Sequence, residues 1–227
     1  MNCKIIGCGG IGTWLAEPLC RYLNHKEGRH CVTFIDGDTF VPENSLRQSF
    51  GSQGKKARVK AGEIAPRFRN LSVRDIVQYV TKENISAVIA QGDTVFLCVD
   101  NHQTRKLVSD YCQKLDCVVL ISGGNELTDG NIQTYIKRDG LEICPPITYM
   151  HPEIVNPDDS NPGEMSCEEL SRSVSGKQII FTNFMAAACM LGAFFLIEED
   201  RLDDVGEMFF DLLTGSVKKI PRRKSHD

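Results

Sequence analysis

The feature that most constrains what this chain can fold into is the run Gly7-Cys8-Gly9-Gly10-Ile11-Gly12. It follows a short apolar stretch, CKII (3–6), and precedes TWLAEPLCRYLNH (13–25), in which Leu15, Leu19 and Leu23 recur at helical spacing. A strand that passes into a helix through glycines can turn tightly, because no Cβ stands in the way. It also brings backbone N–H groups and the positive end of the helix dipole to one point. That point suits a phosphate or a ribose. A second apolar run, CVTFID (31–36), is rich in β-branched and aromatic residues and ends on Asp36, a carboxylate placed to accept hydrogen bonds from ribose hydroxyls. Gly7, Gly9, Gly10, Gly12 and Asp36 are therefore the first candidate nucleotide-binding residues.

The alternation continues. GKKARVKAGEIAPRF (54–68) reads as a helix that opens near Lys55 and closes near Pro66. VRDIVQYV (73–80) reads as a third strand. DTVFLCVD (93–100) reads as a fourth, nearly all apolar and hence central and parallel. HQTRKLVSDYCQKL (102–115) is the next helix and CVVLIS (117–122) the strand after it. Strands and helices joined by short links give an α/β fold with a doubly wound, mostly parallel Rossmann-like sheet. Beyond residue 124 the texture changes. NIQTYIKRD (131–139) reads as an antiparallel strand, residues 140–178 form a Pro-, Asp- and Ser-rich irregular excursion, and EMFFDLLTGSVKKI (207–220) reads as two antiparallel strands around a Thr-Gly turn. Long excursions of this kind inside compact domains are usually functional or mobile. The 227 residues are read as a single domain, 1–227.

Composition narrows the classes. A net charge of -4 implies no general affinity for nucleic acid, and the basic tail VKKIPRRKSHD (217–227) reads as solvated. The uncharged run IIFTNFMAAACMLGAFFLI (179–197) approaches the length of a membrane span but holds Thr182, Asn183 and small residues; it reads as a core helix buried on most sides, with no membrane partner. The opening MNCKIIGCGG lacks the apolar run of a signal peptide, so the ten cysteines are expected as reduced thiols in the cytoplasm. No C-x-x-C pair occurs, which argues against a four-thiolate zinc site.

The polar run after Asp36 then needs an explanation. Within FIDGDTFVPENSLRQ (34–48) stand Asp38, Asn44, Arg47 and Gln48. An NAD-dependent oxidoreductase shares the glycine fingerprint but has no task for that cluster. Nucleotidyl transfer does, because its transition state spreads negative charge over phosphate oxygens that positioned cations stabilise. Arg47 can fork onto two such oxygens, and a lysine at the start of the following helix, Lys56 or Lys60, can act as a point charge. Asp100 closes the fourth strand at the carboxyl edge, where ligands bind in open α/β sheets, and suits Mg²⁺. Asp38 reads as a turn cap and Asn101 as the cap of the next helix.

In this order, GCGGIG, IDGDTFVPENSLRQ, GKKA and LCVDN resemble the ubiquitin-activating-enzyme family, the ThiF/MoeB/HesA-type adenylyltransferases. In that family a glycine loop is followed by D-x-D, N-x-x-R-Q, a Lys-Ala that opens a helix and a D-N pair after a strand. ISGG (121–124) and the closing strands are also similar, with 144–178 the weakest part. The resemblance implies ATP-dependent adenylation of a C-terminal carboxylate, that of a ubiquitin-like or sulfur-carrier-like protein or peptide, with release of pyrophosphate. It implies that Asp36 binds ribose, that Asn44, Arg47 and Gln48 hold the phosphates, that a helix-opening lysine neutralises them and that Asp100 holds Mg²⁺. Lys56 precedes Ala57 at the helix start and is preferred over Lys60, which then reads as a solvated helix residue. Cys167, in the crossover excursion, matches the place of an acceptor thiol; the other reading is an incidental cysteine.

The resemblance also implies a homodimer. It departs from the bacterial pattern in having no paired cysteines, so no structural zinc is expected, and in showing no arginine-bearing helix before the first strand. Two further readings stay open: an oxidoreductase, and the non-catalytic half of a heterodimeric activating enzyme, which would not need the Arg, Lys and Asp set kept here. A small-molecule or tRNA-borne carboxylate is a related possibility.

Overall fold

Alternating apolar runs and amphipathic segments build one nine-stranded sheet with cover on both faces. The computed structural model describes residues 1–165, 178–201 and 206–221. Its strands are β1 (Asn2–Ile6), β2 (His30–Ile35), β3 (Leu71–Ile76), β4 (Asp93–Leu97), β5 (Val118–Asn125), β6 (Asp129–Arg138), β7 (Leu141–Cys144), β8 (Gly206–Asp211) and β9 (Ser216–Pro221). They lie in the order β9-β8-β6-β5-β4-β1-β2-β3, with β7 paired to β6 off that path. From β3 to β5 every pairing is parallel; from β5 through β6 and β8 to β9 every pairing is antiparallel. The parallel half reverses its winding between β1 and β4, and the crevice at the carboxyl ends of those two strands is where an open α/β sheet takes a ligand.

One face of the sheet is covered by α1 (Gly10–His25), α2 (Lys56–Ile64) and α4 (Ile180–Glu198), whose Leu15, Leu19, Ile64, Ala186 and Met190 meet Ile5, Phe34, Phe96 and Ile132. The other face is covered by α3 (His102–Cys112) and the excursion, through Val108, Cys112, Ile147 and Ile154 against Val95, Leu97, Leu120 and Tyr135. The apolar segment 179–197 is a core helix, but among the described residues it is covered on one side only. Its Ala186, Ala187, Met190 and Ala193 are buried, whereas Phe181, Phe184 and Phe195 are exposed at 67%, 46% and 48%.

The third strand is shorter than its sequence suggests. It ends at Ile76, and residues 77–80 turn back toward the loop that carries Asp38.

Candidate active site

The loop between β1 and α1 is built around two glycines. Gly7 has φ +90, and a Cβ there would stand 2.7 Å from the carbonyl oxygen of Cys98. At Gly12 a Cβ would meet the Gly7 carbonyl oxygen, so this glycine lets the helix close against the strand. Gly7, Gly9 and Gly10 line the cavity described below; Gly12 lies behind them and serves packing rather than forming a cavity wall. Asp36 is buried at the end of β2 and fixes the loop, its Oδ2 accepting from the Cys8 N–H (2.6 Å) and its Oδ1 from the Asp38 N–H (2.7 Å). Burial holds its carboxyl above the usual carboxylate range, against the pull of Lys56. Asp36, not Asp38, therefore caps this turn.

The polar run folds as a short clamp. A two-residue ladder pairs Thr39 with Lys55 and Phe40 with Gly54, and the Lys56 N–H donates to the Asp38 carbonyl (3.0 Å). The start of α2 is thereby pinned beside Asp38. Lys56 Nζ donates to Asp38 Oδ2 at 2.9 Å, and the Tyr79 hydroxyl donates to Asp38 Oδ1. Burial pushes the Asp38 carboxyl up, but Lys56 and Tyr79 together hold it below the usual range, so it is a fixed anion. Between the ladder strands, a 3-10 turn at Pro42–Leu46 carries Asn44 and leads into Arg47 and Gln48. The turn is tied to α1 by Trp14, whose indole N–H donates to the Arg47 carbonyl (3.1 Å). Arg47 donates from Nη1 to Gln178 Oε1 (3.1 Å), just before α4. Gln48 is 5% exposed, and its Oε1 is buried without a hydrogen-bond partner among the described residues.

The two helix lysines separate cleanly. Lys56 lines the cavity. Lys60 donates to the Ser49 carbonyl (2.5 Å) and to Glu63 Oε2 (2.6 Å), lies 4.7 Å from the Phe50 ring centroid, and is 5% exposed. It is a buried structural cation rather than a solvated one, because an aromatic ring and a carboxylate cover it.

These groups wall a cavity of about 1490 Å³ that runs from the glycine loop along the carboxyl edge of the sheet to β6 and β8. Asp36, Asn44, Arg47, Gln48, Lys56 and Asp100 all line it. Asp100 is exposed, just past the end of β4. Asn101 caps α3, its Oδ1 accepting from the Thr104 N–H (2.8 Å). Asp159, from the excursion, accepts the N–H groups of His102 (2.6 Å) and Gln103 (2.8 Å) at the same helix end. Arg105 is 5% exposed and donates to Ser122 Oγ (2.9 Å) and to the carbonyls of Val99 and Gly123 (both 2.8 Å). Burial pulls its pKa down.

Tyr79, Gln178, Arg105 and Asp159 were not singled out from the sequence. Only Arg105, at helical spacing after Asp100-Asn101 and facing the sheet, left a readable trace there. Cys167 lies outside the described residues. Among the described residues no three His, Cys, Asp or Glu side chains group as metal ligands.

The ThiF family pattern matches residues 1–194. The chain is 26% identical over 125 residues to the tRNA threonylcarbamoyladenosine dehydratase of Escherichia coli K12, a match covering 53% of this chain and 45% of that protein. It is 33% identical over 116 residues to the sulfur carrier protein ThiS adenylyltransferase of Bacillus subtilis 168, covering 48% of this chain and 33% of that one. The crystal structure of E. coli MccB with ATP superposes with a TM-score of 0.74 at 18% identity, over 99% of this chain and 64% of that chain. The matched parts thus make up less than half the length of these curated relatives.

Proposed function

Because the chain belongs to the ThiF family, we propose that it is an ATP-dependent adenylyltransferase acting on the C-terminal carboxylate of a protein or peptide. The observation that carries this reading is the joining, in one cavity, of a side-chain-free glycine wall, the buried Asp36, Gln48 and Lys56, the half-buried Arg47 and the exposed Asp100. The donor set fits a triphosphate nucleotide. Asp36 keeps lone pairs for ribose hydroxyls, Arg47 and Lys56 supply the positive charge that phosphates need, and Gln48 Oε1 is a buried acceptor in want of a donor. Asn44 stands beside them as an uncharged donor. Asp100 would hold Mg²⁺, whose charge neutralises phosphate oxygens when bound; one carboxylate plus substrate phosphates is the usual donor set for that ion.

In the reaction a carboxylate oxygen of the substrate bonds to the α-phosphorus, the bond to the bridging oxygen of the β-phosphate breaks, and pyrophosphate leaves with that electron pair. Lys56, held by Asp38, sits where it can stabilise the developing charge without reorganising.

The protein works in this reading as a cytoplasmic homodimer, its subunits covering the exposed Phe181, Phe184 and Phe195 face of α4. Onward transfer to Cys167 is the proposed second step.

Mg²⁺-dependent ATP–pyrophosphate exchange, stimulated by a carboxylate-ended peptide, tests the first step. Exchange without any covalent adduct, or an adduct that survives Cys167→Ala, removes the second. Calorimetry showing NADH binding and no ATP binding removes the whole reading.

A further inference from the structure

Residues 77–80 leave the ladder of β3, and side chains from three parts of the chain fix where they go. Asn84 Nδ2 donates to the Tyr79 carbonyl (2.8 Å). Asn161, in the excursion and 1% exposed, donates from Nδ2 to the Val80 carbonyl (2.8 Å). Side-chain amides thus satisfy two backbone carbonyls that have left the sheet. Gly163 packs at the same place, since a Cβ on it would stand 3.0 Å from Tyr79 Cβ. The Tyr79 ring lies over Gly37, where a Cβ would come within 2.6 Å of Tyr79 Cδ2. With backbone and ring both held, the hydroxyl is delivered to Asp38 Oδ1.

That bond bears on Lys56. An ammonium has three N–H donors, and a carboxylate has two oxygens that can both accept. Asp38 takes one Lys56 donor, on Oδ2 at 2.9 Å; the ammonium has no other partner among the described residues and lines the cavity. Two donors are therefore left for phosphate oxygens. They stay free because the phenol occupies Oδ1. A carboxylate with Oδ1 vacant can turn and fork both oxygens across the ammonium, which takes a second N–H away from the phosphates.

We infer that Tyr79 is a positioning residue for Lys56: by occupying one oxygen of Asp38 it limits that carboxylate to a single Lys56 donor and keeps the rest of the ammonium turned to the phosphates. The inference rests on the adenylation reading above. Asn161 ties the excursion to the same backbone, so the place of the phenol depends on the excursion as well as on the sheet.

The test is Tyr79→Phe, which keeps the ring on Gly37 and removes only the hydroxyl. It is made in the full chain and again in an Asp38→Asn background. One readout is ATP–pyrophosphate exchange at saturating ATP with an eight-residue peptide ending in Gly-Gly. The other needs no peptide: the rate at which fluorosulfonylbenzoyl adenosine, an adenosine carrying an amine-reactive sulfonyl fluoride, labels Lys56, read by mass spectrometry. Calorimetry follows ATP binding. Tyr79→Phe should slow exchange about tenfold and labelling about fivefold while the ATP Kd stays within about threefold. In the Asp38→Asn background the same change should alter either rate by less than about twofold, because the hydroxyl acts only through that carboxylate. Rates unchanged by Tyr79→Phe, or slowed equally in both backgrounds, overturn the inference and leave adenylation standing; the second result would make the phenol a purely structural group. Where the peptide drives no exchange, the labelling rates decide by the same comparison. Absence of both ATP binding and Lys56 labelling in the unaltered protein removes the adenylation reading and this one with it.

Discussion

At one end of the cavity each charged group is already held: Lys56 by Asp38, Arg47 by Gln178, Asp36 by two backbone N–H groups. At the other end Glu126 and Asp129 stand exposed, with no side-chain partner among the described residues. In the proposed adenylation reading this difference separates groups fixed in advance from groups left exposed. Charge stabilisation in a transition state works best from groups that need not move, so their partners fix them beforehand. Exposed charges act through long-range attraction as much as through fixed geometry. Asp100 is the exception that sharpens the contrast, since it sits near the held groups yet is as exposed as Asp129.

The largest expected effect tests that exception. Asp100→Ala should lower Mg²⁺-dependent exchange by about two to three orders of magnitude, whereas Asp129→Ala should change it by less than about tenfold. Equal losses would erase the division between the two ends. Next come the lysines. Lys56→Ala should reduce exchange by about a hundredfold. Lys60→Ala should leave exchange per folded molecule unchanged while lowering stability by about 1–2 kcal/mol, read from urea midpoints, because Glu63 and the Ser49 carbonyl lose their partner. An exchange defect in Lys60→Ala would mean that the wrong lysine has been assigned.

The smallest effect concerns His151, which bridges the excursion to β8. Its Nε2 lies 2.6 Å from Glu207 Oε1 and its Nδ1 lies 2.7 Å from Glu153 Oε1. Burial pushes its pKa down, but the two carboxylates outweigh that and hold it above the ordinary histidine value. A group whose folded pKa is raised stabilises fully below its unfolded pKa and loses that contribution as pH rises through the folded value. The stability gap between the unaltered protein and His151→Gln should therefore be larger at pH 5.5 than at pH 8.5, by on the order of 1 kcal/mol. A gap that does not change with pH would show that the two carboxylates do not raise the His151 pKa on folding, and a gap that shrinks at low pH would show that burial outweighs them.

Much of this was legible from residue order. The glycine run, the apolar DTVFLCVD and the two closing strands gave the sheet and its crevice, because these signals are local: period, punctuation and β-branching. The choice of Lys56 over Lys60 rests on one neighbour, Ala57; of the two, Lys56 is the one on the cavity wall. What failed depended on contacts between distant segments. Tyr79 was read as strand because VRDIVQYV is uniformly strand-like, yet its hydroxyl is drawn out of the ladder by Asp38, 41 residues earlier. Lys60 was read as solvated because nothing in GKKARVKA announces the Phe50 ring. The apolar helix was read as buried on most sides because hydrophobicity does not say how many neighbours are present, and one face of α4 has none among the described residues.

Asp159 carries a mechanical consequence. It belongs to the excursion, yet it holds the first two N–H groups of α3, immediately after the Asp100-Asn101 pair. The segment around Asp159 is in effect a lever whose pin is two hydrogen bonds wide. Whatever pulls the lever outward strips those bonds and frays the helix end on which the position of Asp100 depends. Whatever presses it inward stiffens the same end. Amide hydrogen exchange at His102 and Gln103 is the strain gauge for that load.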